Sequence, residues 1–254
     1  MEKMWYIVNQ HQEDIRFMKK ILLYLLATVS LLSGTFAGCG SKIAGSGKLT
    51  TESYEFTGFT MIEAEKGFEL TVKQSQSYKI EITTDDNIRK YLDINKTGNI
   101  LKIGLSGGHI DLTVLRVELS MPGIEGINLS GGASATITGF NSDKSFSVTL
   151  NGGSVLTGDI VSGDAGFGIS GGSIVKLTGS GGDLMVRSSD GSEIILDEFP
   201  VNNADINIDG GGKSFFNING RLDTVLTGGS ELYYTGEPEM GNVNVSGGSV
   251  LEKR

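Results

Sequence analysis

Cysteine, histidine and proline are scarce in this chain of 254 residues, and each scarcity excludes a class of protein. The single cysteine, Cys39, rules out an intrachain disulfide, so packing and backbone pairing must supply the stability. One cysteine and two histidines are too few for the ligand sets of structural zinc sites, and we expect neither a metal nor a cofactor. Three prolines beside 38 glycines argue against a disordered Pro/Gly linker, and glycine does not recur at every third position as collagen requires.

Positive charge and long apolar runs are also in short supply. The formal net charge of −9 argues against nucleic acid as a partner and against adsorption to anionic lipid head groups. The apolar run Ile21–Leu32 spans about a dozen residues, short of the roughly 20 that a membrane-spanning helix needs. The sequence therefore predicts a protein that neither binds nucleic acid nor spans a membrane with this segment.

The N-terminal 39 residues follow the order of an exported lipoprotein precursor. Lys19 and Lys20 precede the apolar run, and small residues lead from there to Cys39, which is the charged, apolar, small-residue order of a secretory signal peptide. Phe36-Ala37-Gly38-Cys39 resembles a bacterial lipobox, although Phe36 stands where a smaller aliphatic residue is usual. That resemblance implies cleavage just before Cys39 and lipidation of its thiol. Two or more acyl chains would then hold the protein stably at a membrane.

The same features divide the N-terminal part of the chain into segments. Three acidic residues before Met18 do not suit a signal peptide, whereas Met18 is followed directly by two lysines. We therefore expect residues 1–17 to be a mis-called upstream extension, 18–38 a lipoprotein signal peptide and 39–50 a lipidated tether. The tether begins without the acidic run that accompanies surface display in some lipoproteins. We expect an outer-membrane lipid anchor, with the periplasmic face favoured over the cell surface.

A repeat of about 19 residues runs through the second half of the chain. Each of seven copies has an alternating strand, a small polar residue, a glycine turn, a serine and a second apolar stretch, at spacings of 18 to 21 residues. The glycine turns are Gly131-Gly132, Gly152-Gly153, Gly171-Gly172, Asp190-Gly191, Gly210-Gly211, Gly228-Gly229 and Gly247-Gly248. So constant a spacing is typical of a solenoid with one repeat per turn.

Aligning the copies on their glycines produces columns of equivalent residues. Two aliphatic columns precede the turns, interrupted only by Thr224 and Ser188: Ile127, Val148, Phe167, Val186, Ile206 and Val243 in one, and Leu129, Leu150, Ile169, Ile208, Leu226 and Val245 in the other. A serine column follows the turns: Ser134, Ser154, Ser173, Ser192, Ser214, Ser230 and Ser249. Residues two apart share a strand face, so the aliphatic columns are predicted to stack inward about 4.8 Å apart.

The fold class that follows is all-β, with a parallel β-helix of seven rungs over residues 127–254. An antiparallel sandwich or barrel is the alternative, but its hairpins do not require the same residue every 19 positions. Residues 51–126 are less regular and are predicted to form an N-terminal strand-rich cap and the first rungs. The elements expected there are strands at 68–72, 79–82, 101–105 and 112–119, a helical turn capped by Asp85-Asp86-Asn87, and a tight turn at Thr97-Gly98-Asn99.

These patterns resemble one known family, the head GIN domain of putative auto-transporter adhesins. The residues that carry the resemblance are Gly45-Ser46-Gly47, Phe59-Thr60-Met61-Ile62, Gly67-Phe68-Glu69-Leu70-Thr71-Val72, Thr97-Gly98-Asn99-Ile100-Leu101-Lys102-Ile103 and the Ser-Gly-Gly rungs. The resemblance covers roughly residues 45–254. It implies a right-handed single-chain β-helix with an irregular N-terminal capping region, in an exported protein that faces the periplasm or the cell surface.

Residues suited to catalysis are few, and we expect no enzyme. A nucleophile needs a neighbouring base, and the only histidine after the signal segment, His109, reads as a solvated loop residue. A polysaccharide-cleaving β-helix enzyme is the least favoured hypothesis, with Arg187 and Glu193 as its acid–base pair among the charged residues Lys176, Asp190 and Asp209. Asp85-Asp86 with Asp93 could bind calcium, but capping of a helical turn accounts for them better.

Two aromatic doublets, Phe215-Phe216 and Tyr233-Tyr234, fall at equivalent offsets in neighbouring copies. One member of each doublet must face outward, and Phe216 with Tyr234 is the candidate ladder for sugar rings, against the alternative of lateral filling of the core. The leading functional hypothesis is a membrane-anchored, non-catalytic structural or adhesion module that binds a glycan or a protein. A dedicated glycan-binding lipoprotein is the alternative.

Overall fold

The computed structural model describes residues 42–107, 110–111 and 114–254. Residues 44–254 form one compact unit, and only Lys42 and Ile43 are described from the other unit, residues 1–43. The predicted signal peptide, the upstream extension, Cys39 and the loop residue His109 lie outside the described residues.

The regular secondary structure of the described residues is almost entirely strand, apart from one short 3₁₀ turn. The N-terminal strands are β1 (Ile43–Ala44), β2 (Leu49–Ser53), β3 (Met61–Ala64), β4 (Glu69–Gln74), β5 (Lys79–Asp85), β6 (Leu92–Thr97), β7 (Ile100–Leu105), β8 (Ile110–Asp111) and β9 (Leu115–Met121). The strands of the repeat are β10 (Gly126–Leu129), β11 (Ser134–Asn141), β12 (Phe146–Leu150), β13 (Val155–Val161), β14 (Ala165–Ile169), β15 (Ile174–Ser180), β16 (Leu184–Ser188), β17 (Glu193–Val201), β18 (Ala204–Ile208), β19 (Lys213–Ile218), β20 (Arg221–Leu226), β21 (Glu231–Thr235), β22 (Glu239–Val245) and β23 (Val250–Lys253).

The repeat folds into seven coils of two strands, from coil 1 (β10–β11) to coil 7 (β22–β23). The first strand of every coil joins sheet 1, in the order β22-β20-β18-β16-β14-β12-β10-β3-β7-β6. The second strand joins sheet 2, in the order β2-β5-β9-β4-β11-β13-β15-β17-β19-β21-β23. Within the repeat all ladders are parallel, and equivalent residues pair directly, as Leu129 does with Leu150. The predicted β-helix is therefore confirmed, and the antiparallel alternative is excluded for these coils.

The core includes the predicted aliphatic columns of coils 1 to 6, whereas Val243 and Val245 of coil 7, which no further coil covers among the described residues, are 42% and 39% exposed. Ile127, Val148 and Phe167 are paired in adjacent strands and are at most 3% exposed. The two exceptions in the sequence also face inward, because the Ser188 and Thr224 side chains are 7% and 2% exposed. Neither hydroxyl has a hydrogen-bond partner, so these two coils bury an unpaired polar atom within an apolar ladder.

The serine column has a structural role, although two of its predicted members were misaligned. Buried hydroxyls donate to the carbonyl oxygen three residues earlier at 2.7–2.8 Å, in Ser154, Ser173, Ser192 and Ser230. In the register of the sheet, Ser134 pairs with Val155, and Ser214 pairs with Ile194 and Leu232. Ala133 and Gly212 therefore take the serine position in their coils, and Ser214 lies in the core with an unpaired hydroxyl.

The N-terminal region stacks out of sequence order. The coil made by β3 and β4 lies directly on coil 1, through parallel ladders to β10 and β11. Strands β7 and β9, which come later in the chain, cover the other side of that coil. Antiparallel β6, β5 and β2 then close the edge, with Gly98 at φ +60° in the two-residue β6–β7 turn. This region is therefore less regular than the coils, and its strands pair out of chain order.

The predicted helical turn is a 3₁₀ turn at Arg89–Tyr91. Its N-cap residue is Ile88, and no acidic side chain caps its N-terminus through a hydrogen bond. The Asp85 carboxylate instead accepts the N–H of Gly47 at 2.6 Å, and Asp86 accepts the hydroxyl of Ser46 at 2.7 Å. The two aspartates thus fasten the Gly45–Gly47 segment to the cap. Across the described residues, no helix has both the length and the apolarity required to cross a membrane.

Candidate binding surface

An outward-facing column on sheet 2 carries the aromatic residues. From coil 1 to coil 7 the column runs Thr136, Thr157, Lys176, Ile195, Phe215, Tyr233 and Glu252, each in register with the next. Phe215 and Tyr233 stack with their ring centroids 5.3 Å apart and their planes 17° apart. Parallel coils place equivalent side chains one strand spacing apart, so two aromatic residues at one offset form a stacked pair.

The outward pair is Phe215 with Tyr233, which corrects the predicted Phe216–Tyr234 ladder. Phe216 is 1% exposed and lies in an inward column with Leu196. Tyr234 continues that column and is half-buried, with its hydroxyl 3.9 Å from the sulfur of Met240. The pairing of equivalent doublet members was right, but Phe216 fills the core and is closed to a ligand.

Two cations lie over the stacked rings. The Lys213 ammonium is 5.7 Å from the Phe215 centroid and 5.2 Å from the Tyr233 centroid. The Arg254 guanidinium carbon is 4.9 Å and 4.0 Å from the same two centroids. The ring faces attract cations through their quadrupoles, so aromatic and basic side chains hold one another in place.

A carboxylate completes this aromatic patch, which we define as Lys213, Phe215, Glu231, Tyr233 and Arg254. Glu231 accepts a hydrogen bond from the Tyr233 hydroxyl at 3.0 Å and forms an ion pair with Lys213 at 3.2 Å. Lys213, and then the hydroxyl of Tyr233, lower the pKa of the Glu231 carboxyl. Glu231 therefore stays ionised in mildly acidic conditions and orients both neighbours.

The patch combines flat apolar faces with donors and acceptors of both charges. Such a set can stack on the C–H face of a sugar ring or on an apolar side chain while bonding its polar rim. The sequence reading missed Lys213, Glu231 and Arg254. Alternation along β19 and β21 from the doublets would have identified Lys213 and Glu231, because residues two apart share a face.

The charged residues considered for catalysis do not form one site. Arg187 lies on β16 of sheet 1 and makes a two-pronged ion pair with Asp205, at 3.1 and 3.2 Å. Glu193 lies on β17 of sheet 2, in register with Lys213. The hypothetical acid–base pair of Arg187 and Glu193 is therefore divided between two sheets, and that hypothesis is wrong in its geometry.

The other charged candidates have separate roles. Asp190 takes the first glycine position of its turn at φ +57°, and its carboxylate accepts the Ser189 hydroxyl at 2.9 Å. Asp209 accepts the hydroxyl of Thr227 at 2.7 Å. The described ranges contain no group of three or more His, Cys, Asp or Glu residues that could hold a metal ion.

Comparison with known sequences identifies one family. Residues 58–238 match the sequence model described as "Putative auto-transporter adhesin, head GIN domain". The match begins just before β3 and ends just before β22, so it spans the cap and most of the coils. No curated protein is significantly similar to the chain.

Solved structures with the same fold come from Bacteroides and Parabacteroides. A "putative adhesin" from Bacteroides fragilis is 19% identical with a TM-score of 0.75, over 84% of this chain and all of that one. A second "putative adhesin", from Parabacteroides merdae, is 19% identical with a TM-score of 0.65, over 85% of this chain and all of that one. A "putative lipid binding protein" from Parabacteroides distasonis is 16% identical with a TM-score of 0.62, over 84% and 100% of the two chains. At these identities the likeness establishes the fold.

Proposed function

This chain belongs to the head GIN domain family, and we propose that it is a non-catalytic adhesion or binding module held at the bacterial cell envelope. Its β-helix acts as a rigid scaffold, and its outer face engages a glycan or a protein. The observation that carries this proposal is the outward stack of Phe215 on Tyr233, framed by Lys213, Glu231 and Arg254.

The chemistry of the aromatic patch supports a binding role. Aromatic rings in the core of a β-helix are explained by packing, but Phe215 and Tyr233 point away from the core and are only half-buried. Partly exposed aromatic and arginine side chains dominate the energetics of many binding surfaces. Because neighbours on parallel strands already hold these side chains in place, the side chains lose less conformational entropy on binding.

The binding test compares the native protein with a Phe215→Ala/Tyr233→Ala double variant. The readout is retention on immobilised envelope polysaccharide, mucin and extracellular-matrix protein. We expect the double variant to lose retention. The control Thr157→Ala, in the same outward column but three coils from Phe215, should retain it. Equal retention of the native protein and the double variant on every surface would exclude the patch as the adhesive site.

A glycan is the favoured class of partner, because stacked rings beside donors and acceptors suit the two faces of a pyranose. On a glycan array, the native protein should bind a defined subset of glycans, and the double variant should lose the part of that subset that the aromatic patch binds. Binding to proteins alone would instead assign a protein partner. Turnover of a uronate polymer that is abolished by Arg187→Ala would overturn the non-catalytic assignment.

The envelope attachment rests on Cys39, which follows the signal-like run in the sequence. We propose that its thiol is lipidated, anchoring the protein to the outer membrane with the β-helix facing the periplasm. In cells fed an alkyne fatty acid, the native protein should be labelled and sediment with membranes, whereas Cys39→Ala should be unlabelled. Protease added to intact cells should leave the β-helix uncut until the outer membrane is permeabilised, and cutting before that step would place it on the surface.

A further inference from the structure

The outer face of sheet 1 carries a groove that the aromatic patch does not use. It is shallow and open to solvent, with a volume of about 380 Å³. Its polar lining comes from four neighbouring strands, in Thr149, Asn151, Ser170, Arg187, Ser189 and Asn207. We propose that this groove is a second binding site, for a neutral oligosaccharide; the proposal rests on the binding role argued above and adds a site and a ligand class.

Strand β14 presents glycine at both of its central outward positions, Gly166 and Gly168, and Gly168 lines the groove. Neither glycine has a positive φ, and a Cβ at Gly166 would meet nothing within 4 Å. At Gly168 the nearest atom to such a Cβ is the Val148 carbonyl oxygen at 4.0 Å. Gly126, in the same outward column as Gly166, differs because its Cβ would collide with Ser147. Backbone geometry and packing therefore explain Gly126 but leave Gly166 and Gly168 without a structural reason.

Glycine inside a strand lowers stability and frequently marks a place where a ligand approaches the backbone. The missing side chains leave the neighbouring strands β12 and β16 as walls about 9.6 Å apart, which is two strand spacings. That width admits one sugar ring lying along β14. A side chain at Gly168 would narrow it.

The walls offer hydrogen-bonding groups that the protein itself leaves unused. Among the described residues, the Thr149 hydroxyl and the Asn207 amide form no hydrogen bond, and Asn151 uses only its oxygen, which accepts the Ser170 hydroxyl at 2.5 Å. Amides and hydroxyls of this kind pair with the vicinal hydroxyls of a sugar. An extended peptide fits less well, because the backbone groups of sheet 1 are already paired in the ladder.

The charge of the groove selects a neutral ligand. Arg187 is the only charged residue among those that line it, and both prongs of its guanidinium are engaged by the Asp205 carboxylate. The Nη1 atom of Arg187, which donates to Asp205, also donates to the carbonyl oxygen of Val186 at 2.9 Å. An anionic sugar would have to compete with Asp205 for this cation, whereas a neutral sugar needs no such exchange.

The test measures affinity for neutral pentasaccharides of glucose, mannose and N-acetylglucosamine, with polygalacturonate as the anionic comparison, by isothermal titration calorimetry on the native protein. Gly168→Leu fills the groove, and we expect it to weaken binding of the neutral ligand by about tenfold or more. Asn207→Ala should weaken it in the same direction. Asn128→Leu, in the same outward column but outside the groove, is the matched control and should stay within about twofold of the native affinity.

The outcomes separate this site from the aromatic patch. Phe215→Ala/Tyr233→Ala should leave oligosaccharide binding in the groove intact, even if it abolishes adhesion. The inference is overturned if no neutral pentasaccharide binds the native protein, if polygalacturonate alone binds, or if Gly168→Leu binds as tightly as the native protein. It is also overturned if only the double variant loses binding, which would assign the sugar to the patch. Thermal unfolding of each variant confirms that the coil is intact.

Discussion

The guanidinium of Arg221 lies 2.7 Å from the carboxylate of Asp223, two residues further along β20. The same carboxylate accepts the backbone N–H of Asn242 in coil 7, also at 2.7 Å. The hydrogen bond from Arg221, and then that from Asn242, lowers the pKa of Asp223 to about 2. Asp223 therefore links coil 7 to coil 6 through a charge that persists in acid.

The first prediction concerns the acid stability of coil 7. Because the pKa of Asp223 is lower in the folded chain than in the unfolded chain, its stabilising contribution is present above an unfolded pKa of about 4 and is lost as the pH falls towards 2. Hydrogen exchange at the Asn242 amide should therefore accelerate between about pH 4 and pH 2, after correction for intrinsic exchange. In Asp223→Asn this amide should exchange faster at pH 7 and lose most of that pH dependence. An unchanged profile in the variant would contradict the assignment.

The second prediction concerns the unpaired hydroxyl of Thr224 in the apolar column. Thr224→Val keeps the shape and removes a buried polar atom without a partner. We expect the free energy of unfolding in urea to rise by about 1–3 kcal/mol. The control is Thr136→Val, where the outward hydroxyl is paired with Thr157 at 3.1 Å and the change should stay within about 0.5 kcal/mol. A less stable Thr224→Val protein would mean that the hydroxyl has an unseen partner.

The third prediction contrasts two glycines. Gly158 has φ +135°, and a Cβ there would overlap the carbonyl of Ile137, so Gly158→Ala should destabilise the fold by about 2 kcal/mol or more. Gly166 lies in extended backbone with open space around it, so Gly166→Ala should leave stability unchanged or raise it by up to about 1 kcal/mol. Thermal unfolding of the two variants gives the comparison. Equal losses would show that Gly166 has a structural role after all.

The fourth prediction separates the two members of the aromatic doublet. Phe216→Ala removes a ring that is 1% exposed and should lower the free energy of unfolding by about 3–5 kcal/mol. Phe215→Ala removes a half-buried outward ring and should cost much less stability while weakening ligand retention. Denaturant unfolding and the retention assay measure the two effects. A reversed order of stability would mean that the doublet is turned by one residue.

The sequence predicted the coils because each copy repeats the same demands: aliphatic residues inward, glycine at a corner and serine after it. It misplaced Ser214 because coil 5 carries glycine at 210, 211 and 212, and the third of these occupies the serine position. Residue type alone made Ser214 look equivalent to Ser192, whereas its neighbours across the sheet are Ile194 and Leu232. A step of a single residue decides which ring of the Phe215-Phe216 doublet faces outward.

The repeat pattern alone could not predict the full aromatic patch or the strand order of the cap. Arg254 contacts Phe215 and Tyr233 from the residue that follows the last described strand. This contact depends on how the coils stack, and the sequence spacing of the repeat does not predict it. The insertion of β3–β4 between later strands arises from pairings between distant segments, which local periodicity does not encode. The glycines of the groove were visible in the sequence, but their φ angles and surroundings were needed to distinguish them from turn glycines.

The out-of-order stacking of the cap determines how the molecule can assemble. Met61 meets its partner Gly126 across about 65 residues, whereas pairs within the repeat are separated by about 20. Closing the longer loop costs more entropy and slows folding, so the coils can pair one after another while the contact between β3 and coil 1 must wait for residues beyond 120 to emerge. During synthesis, β3 could therefore pair first with β7, whereas β4 would lack its partners until β9 and β11 have left the ribosome.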